Sequence, residues 1–63
     1  MKVNVYYNSG AKKEFQQVKE TKTTEDEVIL HIEKHINRNA VSQIEIIEQF
    51  LYEEEIHTIE GKE

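Results

Sequence analysis

The sequence predicts a mainly β protein, built as a small bent antiparallel sheet of four to five strands. Two observations favour this fold class. In residues 2–7, Val3, Val5 and Tyr7 alternate with Lys2, Asn4 and Tyr6, and a glycine turn follows. Residues 43–52 are dense in isoleucine and aromatic side chains. Alternation with a period of two places one face of a strand on a core, and isoleucine and aromatics are typical of strands. The alternative is an α+β fold, ββαββ, with one helix at about residues 25–38.

The first predicted element is a hairpin. Val3, Val5 and Tyr7 share one parity, and the "NSG" that follows supplies residues that tolerate positive φ. The returning segment carries Phe15 and Val18, which are three residues apart, and one extra residue in a β-bulge would bring both to the same face. A short helix over residues 11–20 competes with this interpretation because "AKKEFQQVKE" is rich in helix formers. The hairpin is favoured, since a lone first strand would lack a partner.

The segment "EVILHIEKHI", residues 27–36, fits two structures. In a helix, Thr24 and Glu27 would form a capping box, and four apolar side chains would share a face: Val28, Ile29, Ile32 and Ile36. In a strand, Val28, Leu30 and Ile32 alternate with their neighbours, and "NRN" becomes the turn into the next strand.

The last part of the chain predicts one long strand and one short one. "QIEIIEQFLY", residues 43–52, predicts a strand that is buried on much of both faces. Glu53, Glu54 and Glu55 should lie at a sheet edge or in a loop, because carboxylates are costly inside a sheet. "IHTI" is expected to form a short last strand, and residues 60–63 are expected to fray.

Two segments resemble a group of known sequences. "YYNSGAKKEFQQV" followed by "VSQIEIIE" is similar to short uncharacterised β-rich proteins of Gram-positive bacteria and their phages. In those chains a glycine turn precedes a Phe-x-x-Val step, and a later isoleucine-rich strand closes a small bent sheet. The resemblance implies a strand for residues 27–34 and a phage or prophage origin, and it implies no known activity. The chain departs from the pattern at "EKHIN", where glycine or acidic turn residues are usual.

The size of the chain predicts self-association. A domain of 63 residues without cysteine buries little surface and has no disulfide to stabilise it. We expect one domain that forms a homodimer or a higher homo-oligomer. Some apolar residues would lie on the face of their strand opposite to the face of their apolar neighbours, and one of two consecutive tyrosines must point away from the core. The predicted interface comprises these residues: Tyr6, Tyr7, Ile29, Ile47 and Leu51. The absence of cysteine, of a signal segment and of a membrane-spanning apolar run predicts a cytoplasmic protein.

The charge is negative and unevenly distributed. The net charge is −5; residues 1–22 carry five lysines against two glutamates, and residues 41–63 carry seven glutamates against one lysine. This balance argues against direct nucleic-acid binding, which needs a basic surface. The expected function is a protein-binding or self-associating module, with a host protein as a candidate partner. An alternative is an acidic nucleic-acid mimic that inhibits a host DNA-binding protein through the acidic patch Glu53, Glu54 and Glu55.

Catalytic and cofactor chemistry is not expected. His31 and His35 are four residues apart, a spacing that could share a metal ion on a helix, whereas a strand would hold them roughly 13 Å apart. They are therefore weak metal candidates. Ser9 and Ser42 have no adjacent histidine, and no glycine-rich phosphate loop occurs, so the sequence predicts neither an enzyme nor a bound cofactor.

Overall fold

The computed structural model describes residues 1–30 and 34–61, and it confirms a mainly β fold without an α-helix in those residues. Its strands form two antiparallel sheets, of order β2-β1-β6-β7 and β3-β4-β5. The sequence predicted four to five strands in one sheet; the described residues contain seven. They are β1 (Lys2–Tyr7), β2 (Lys12–Phe15), β3 (Thr21–Thr23), β4 (Glu27–Leu30), β5 (Lys34–Asn37), β6 (Val41–Gln49) and β7 (Glu54–Glu60), with a 3₁₀ turn at Arg38–Ala40 between β5 and β6.

The two sheets share one hydrophobic core. Each contributes the apolar residues of one strand face, which is the arrangement that lets a small β protein bury side chains on only one side of each sheet. The buried apolar residues are Val3, Val5, Val18, Val28, Leu30, Ile36, Val41, Ile44 and Ile46. We call the opposite side of the four-stranded sheet its outer face.

The first hairpin and its bulge match the sequence prediction. Gly10 adopts a φ of 93° in the turn, where a side chain would be strained. Val3 lies opposite Phe15, but Val18 instead of Gln17 exchanges hydrogen bonds with Met1, at 2.7 and 2.8 Å. One extra residue is therefore inserted, and Gln17 absorbs it with a φ of 57°. Phe15 and Val18 both pack on the core.

Residues 27–30 and 34–37 form strands, so the alternative helix at about 25–38 is absent there. Residues 31–33 lie outside the described part of the chain. The Thr24 and Glu27 pair that suggested a helix cap closes the β3–β4 hairpin: the Glu27 N–H donates to Thr24 Oγ1 at 3.1 Å, and the Thr24 N–H donates to the Glu27 carbonyl at 2.9 Å. The same short-range contact thus serves a turn between strands.

Arg38 joins the two sheets. Its Nη1 donates to the Thr24 carbonyl at 2.9 Å, in the turn of the three-stranded sheet. Its Nη2 donates to the Glu60 carbonyl at 3.0 Å, at the end of the four-stranded sheet. Lys34 adds a second link, because its ammonium lies 5.5 Å from the ring centre of Phe15.

The last part of the chain departs from one prediction. The predicted strand 43–52 ends at Gln49, and residues 50–52 lie in an exposed turn instead of a buried strand. Glu60 belongs to β7, and the Gly61 N–H donates to the Ser42 carbonyl at 3.1 Å; the fraying of residues 60–63 stays a prediction. Lys62 and Glu63 lie outside the described residues.

The strand assignment of residues 27–30 predicts unequal effects of two adjacent substitutions. Leu30 is fully buried in the core, whereas Ile29 lies half-buried on the other face of β4. We expect Leu30→Ala to lower the free energy of unfolding by about 2–5 kcal/mol, and Ile29→Ala by about 1 kcal/mol. Urea denaturation followed by circular dichroism measures both. Equal losses would contradict the assignment.

Candidate functional site

The β6–β7 hairpin extends past the rest of the protein. The last residue pair between β1 and β6 is Lys2 with Ile47, whereas β6 continues to Gln49 and is paired there with β7 alone. The last buried residue of β6 is Ile46, and residues 49–58 are all exposed. We call residues 47–56 the arm.

A tight turn closes the tip of the arm. The Phe50 N–H donates to the Glu53 carbonyl at 2.7 Å, which leaves Leu51 and Tyr52 as the two central residues of the turn. The Gln49 side-chain amide donates to the Phe50 and Glu53 carbonyls at 3.4 and 3.3 Å. These bonds satisfy carbonyls of the turn and hold the tip closed.

The arm concentrates exposed apolar surface. Within the described residues, the exposed large hydrophobic side chains are Phe50 (45% exposed), Leu51 (86%), Tyr52 (94%) and Ile56 (53%). All four lie within seven consecutive residues of one hairpin. Scattered exposed apolar residues are normal on a protein surface, whereas a dense apolar group is the kind of surface that proteins use for interactions.

The arm also carries most of the net negative charge. Its charged residues are Glu48, Glu53, Glu54 and Glu55, so it accounts for −4 of the net −5 of the chain. Glu48 and Glu55 are directly opposite each other in the β6–β7 ladder, an arrangement that destabilises a strand pair. A cation placed between or beside them would relieve that repulsion.

A second polar cluster lies on the outer face of the four-stranded sheet. The Tyr6 hydroxyl donates to Glu45 Oε1 at 2.6 Å, and the Asn4 amide reaches the same oxygen at 3.5 Å. The hydrogen bond from Tyr6 lowers the pKa of Glu45, and the same bond raises the pKa of Tyr6. Asn4 is buried, and its Oδ1 has no hydrogen-bond partner in the described part of the chain.

The predicted interface residues do not form one patch. Tyr6 lies on the outer face of the four-stranded sheet, whereas Tyr7 packs against the core. Ile29 lies on the three-stranded sheet, on the face away from the core. Ile47 lies at the base of the arm and Leu51 at its tip. Of the five, only Ile47 and Leu51 belong to the same structural feature.

The acidic patch and the histidines are placed as follows. Glu54 and Glu55 are exposed in β7 and point to opposite faces because they are consecutive in a strand, and Glu53 precedes them at the tip. His35 Nδ1 lies 3.1 Å from Glu27 Oε2 on the surface, and His31 lies outside the described residues. In residues 1–30 and 34–61 no group of three or more potential ligand side chains is arranged to hold a metal ion.

Three residues of the arm were not predicted as site residues: Phe50, Tyr52 and Ile56. Phe50 and Tyr52 were assigned to a buried strand because they continue the parity of Ile44 and Ile46. The sequence contained one signal for the exposure of Phe50 and Tyr52, which is the acidic run that begins at Glu53. Such a run makes burial of the preceding residues improbable on both faces of the strand.

Comparisons with known proteins give no relative: no protein-family model, no curated protein and no solved structure matches this chain. In the described residues, no helix has the length and apolar character needed to cross a membrane.

The Tyr6–Glu45 bond predicts a bell-shaped pH dependence for the effect of Tyr6→Phe. The lowered pKa of Glu45 means that its contribution is present above the ordinary carboxyl pKa of about 4.3 and is lost as the pH falls through the lowered value. The raised pKa of Tyr6 means that its contribution is present below about 10 and is lost as the pH rises through the raised value.

We therefore expect Tyr6→Phe to reduce the urea midpoint most between about pH 5 and 9, with convergence to the original protein at both extremes. The control is Tyr52→Phe, whose side chain is almost fully exposed and whose substitution should have no such dependence. A difference for Tyr6→Phe that is constant with pH would contradict the assigned bond.

The Glu48–Glu55 pair predicts a stabilising substitution. Glu48→Lys replaces a like-charge pair by an opposite-charge pair, and we expect the free energy of unfolding to rise by roughly 0.2–1 kcal/mol. Glu20→Lys is a matched control, because Glu20 is exposed between β2 and β3 and the change in net charge is the same. An equal gain from both variants in thermal or urea unfolding would assign the effect to net charge alone.

Proposed function

We propose that this protein is a non-enzymatic protein-binding module and that the arm is its binding site. The observation that carries the proposal is the concentration of all exposed large hydrophobic side chains of the described residues in the arm. The core of the protein ends before the arm begins, so these residues contribute little to burial within the chain. A binding role accounts for their exposure.

The physical properties of the arm support this role. A two-stranded ribbon without a third strand or a covering layer is only marginally stable in water. A partner that covers the arm would supply the missing layer. Phe50, Leu51 and Tyr52 project from a short turn, and aromatic side chains of this kind are frequent anchors of protein interfaces because they bury a large area with few rotatable bonds.

The charge of the arm indicates the chemistry of the partner. Four glutamates surround the apolar tip, so the complementary surface is an apolar pocket with lysine or arginine on its rim. Opposed charges of this kind speed association and exclude partners with acidic rims. The repulsion between Glu48 and Glu55 would also be relieved by a cation of the partner.

Other sequence expectations stay predictions. They are a host protein as the partner, a phage or prophage origin, a cytoplasmic location and the absence of direct nucleic-acid binding. The acidic-mimic alternative has weaker support, because Glu54 and Glu55 point to opposite faces of β7 and do not form a one-sided row.

The proposal is tested by site-specific photocrosslinking in lysate of the expressing cells. A photoreactive side chain at Leu51 is expected to label one basic protein, and the same group at Asn8, in the turn of the first hairpin, is expected to leave it unlabelled. Binding of that protein, once purified, should fall at least about tenfold in the double variant Leu51→Ser, Tyr52→Ser. The edge variant Lys12→Ser, Lys13→Ser is the matched control for two exposed substitutions. Equal labelling from both positions, or an acidic partner, would overturn the proposal.

A further inference from the structure

Among the described residues, the four-stranded sheet has two open edges, β2 and β7, and β7 pairs with β6 on one side only. Backbone hydrogen bonds mark which residues face β6: the Phe50 N–H donates to Glu53, and the Gly61 N–H donates to Ser42. Hydrogen-bonded pairs alternate along an antiparallel ladder, so the odd-numbered residues of β7 bond with β6. The N–H and carbonyl groups of Glu54, Ile56, Thr58 and Glu60 therefore point away from the sheet.

The free part of this edge is limited to residues 54–58. The Glu60 carbonyl already accepts a hydrogen bond from Arg38 Nη2 at 3.0 Å. Between Glu54 and Thr58 the side chains are all exposed, and the β6–β7 register runs without a bulge. The strand also lacks proline and lysine, two residues that proteins commonly use to protect an edge from pairing, and its charged side chains are glutamates.

We propose that this edge pairs with the same edge of a second copy, antiparallel and with Ile56 on the two-fold axis. In this register Ile56 lies opposite the Ile56 of the second copy, and Glu54 lies opposite Thr58. Each of these pairs has its backbone groups free and directed outward, so each can exchange two hydrogen bonds. Glu55 lies opposite His57, which places a carboxylate against an imidazole on both sides of the axis.

Glu55 and His57 already contact each other within one chain. His57 Nε2 lies 2.8 Å from Glu55 Oε1 on the same face of β7. Neighbouring registers are less favourable. An axis at Glu55 opposes that residue to itself, and an axis at His57 opposes Glu54 to Glu60, whose carbonyl is already occupied. Among these three registers, the one centred on Ile56 is the only one that opposes no like charges directly.

An apolar pair on the outer face continues across this axis. Ile47 of β6 lies directly opposite Ile56 of β7. In the proposed dimer, two isoleucines from each copy form one unbroken row of four at the centre of the joined sheet. Ile56, now 53% exposed, would gain an apolar neighbour on its open side. Cross-strand pairs of this kind stabilise a sheet.

The proposed dimer would hold the two arm tips at opposite ends. Because β7 and its copy run antiparallel, the two Tyr52 residues are separated by eight residue steps along the strands, roughly 26 Å. The tips are left uncovered, so the dimer and the proposed binding function use different parts of the arm. Either can fail without the other.

The experiment uses light scattering of the full chain at micromolar to millimolar concentration. We expect a mass of twice the 7.5 kDa of the single chain. His57→Glu opposes two carboxylates on each side of the axis and should weaken dimerisation at least about tenfold. The double variant Glu55→Lys, His57→Glu places opposite charges across the axis and should recover most of the loss. Leu51→Ser, at the tip, is the control and should leave the dimer mass unchanged.

A second measurement fixes the register. In a sample mixed from differently labelled chains, we expect an intermolecular nuclear Overhauser effect between the Hα atoms of Glu55 and His57, because a non-hydrogen-bonded antiparallel pair brings its Cα atoms to about 4.5 Å. A monomeric mass up to millimolar concentration would overturn the proposal. So would a dimer that tolerates His57→Glu, or one whose intermolecular contacts lie outside residues 54–58.

Discussion

The structure depends on β6 being longer than the core that it crosses. Its first part supplies Val41, Ile44 and Ile46 to the core and is paired on both sides, with β1 and with β7. Its last part passes Lys2, the first residue of β1, and continues with β7 as its single neighbour. One strand therefore organises the core at one end and projects a two-stranded ribbon at the other. The exposure of the tip follows from this difference in length.

The opposite end of the hairpin is fixed by close backbone packing. A Cβ atom on Gly61 would lie 1.7 Å from the Val41 carbonyl oxygen, so only glycine allows the end of β7 to reach the start of β6. Arg38, in the turn between β5 and β6, donates to the Glu60 carbonyl, and its buried Nε has no hydrogen-bond partner within residues 1–30 and 34–61. An unpaired buried donor lowers the free energy of unfolding. The same guanidinium joins both sheets, which offsets this loss. These contacts fix the register of the β6–β7 hairpin at the end opposite to the arm.

Local chemistry made much of the fold predictable from the sequence. The Phe15 and Val18 spacing predicted the bulge, because a parity break of one residue in a strand has few other solutions. The Thr24 and Glu27 pair was ambiguous because the same contact can cap a helix or close a hairpin. The number of sheets was not predictable, since it depends on β3 and β5, short strands whose own pattern is weak and which pair with the two sides of β4.

The candidate site was predicted only in part, for a different physical reason. Leu51 was singled out because its parity opposes that of its neighbours, and the acidic run was placed at an edge. Phe50 and Tyr52 were assigned to the core because hydrophobic periodicity continues through a turn that contains no glycine, proline, asparagine or aspartate. Periodicity reports the face of a strand and contains no information on where the core stops. That boundary is a tertiary property, set here by the start of β1.

The arm combines two features that would each favour aggregation on their own. An open edge strand and an apolar tip both favour aggregation, and the four glutamates between them oppose indiscriminate association. In the proposed dimer, pairing of β7 with its copy would give the ribbon a third strand, and the arm would no longer be only marginally stable. An ordered arm loses less conformational entropy when its tip binds a partner. Because such coupling is reciprocal, a partner bound at the tip would also strengthen the dimer. The two proposed surfaces are separate in space, yet they are linked through the stability of one hairpin.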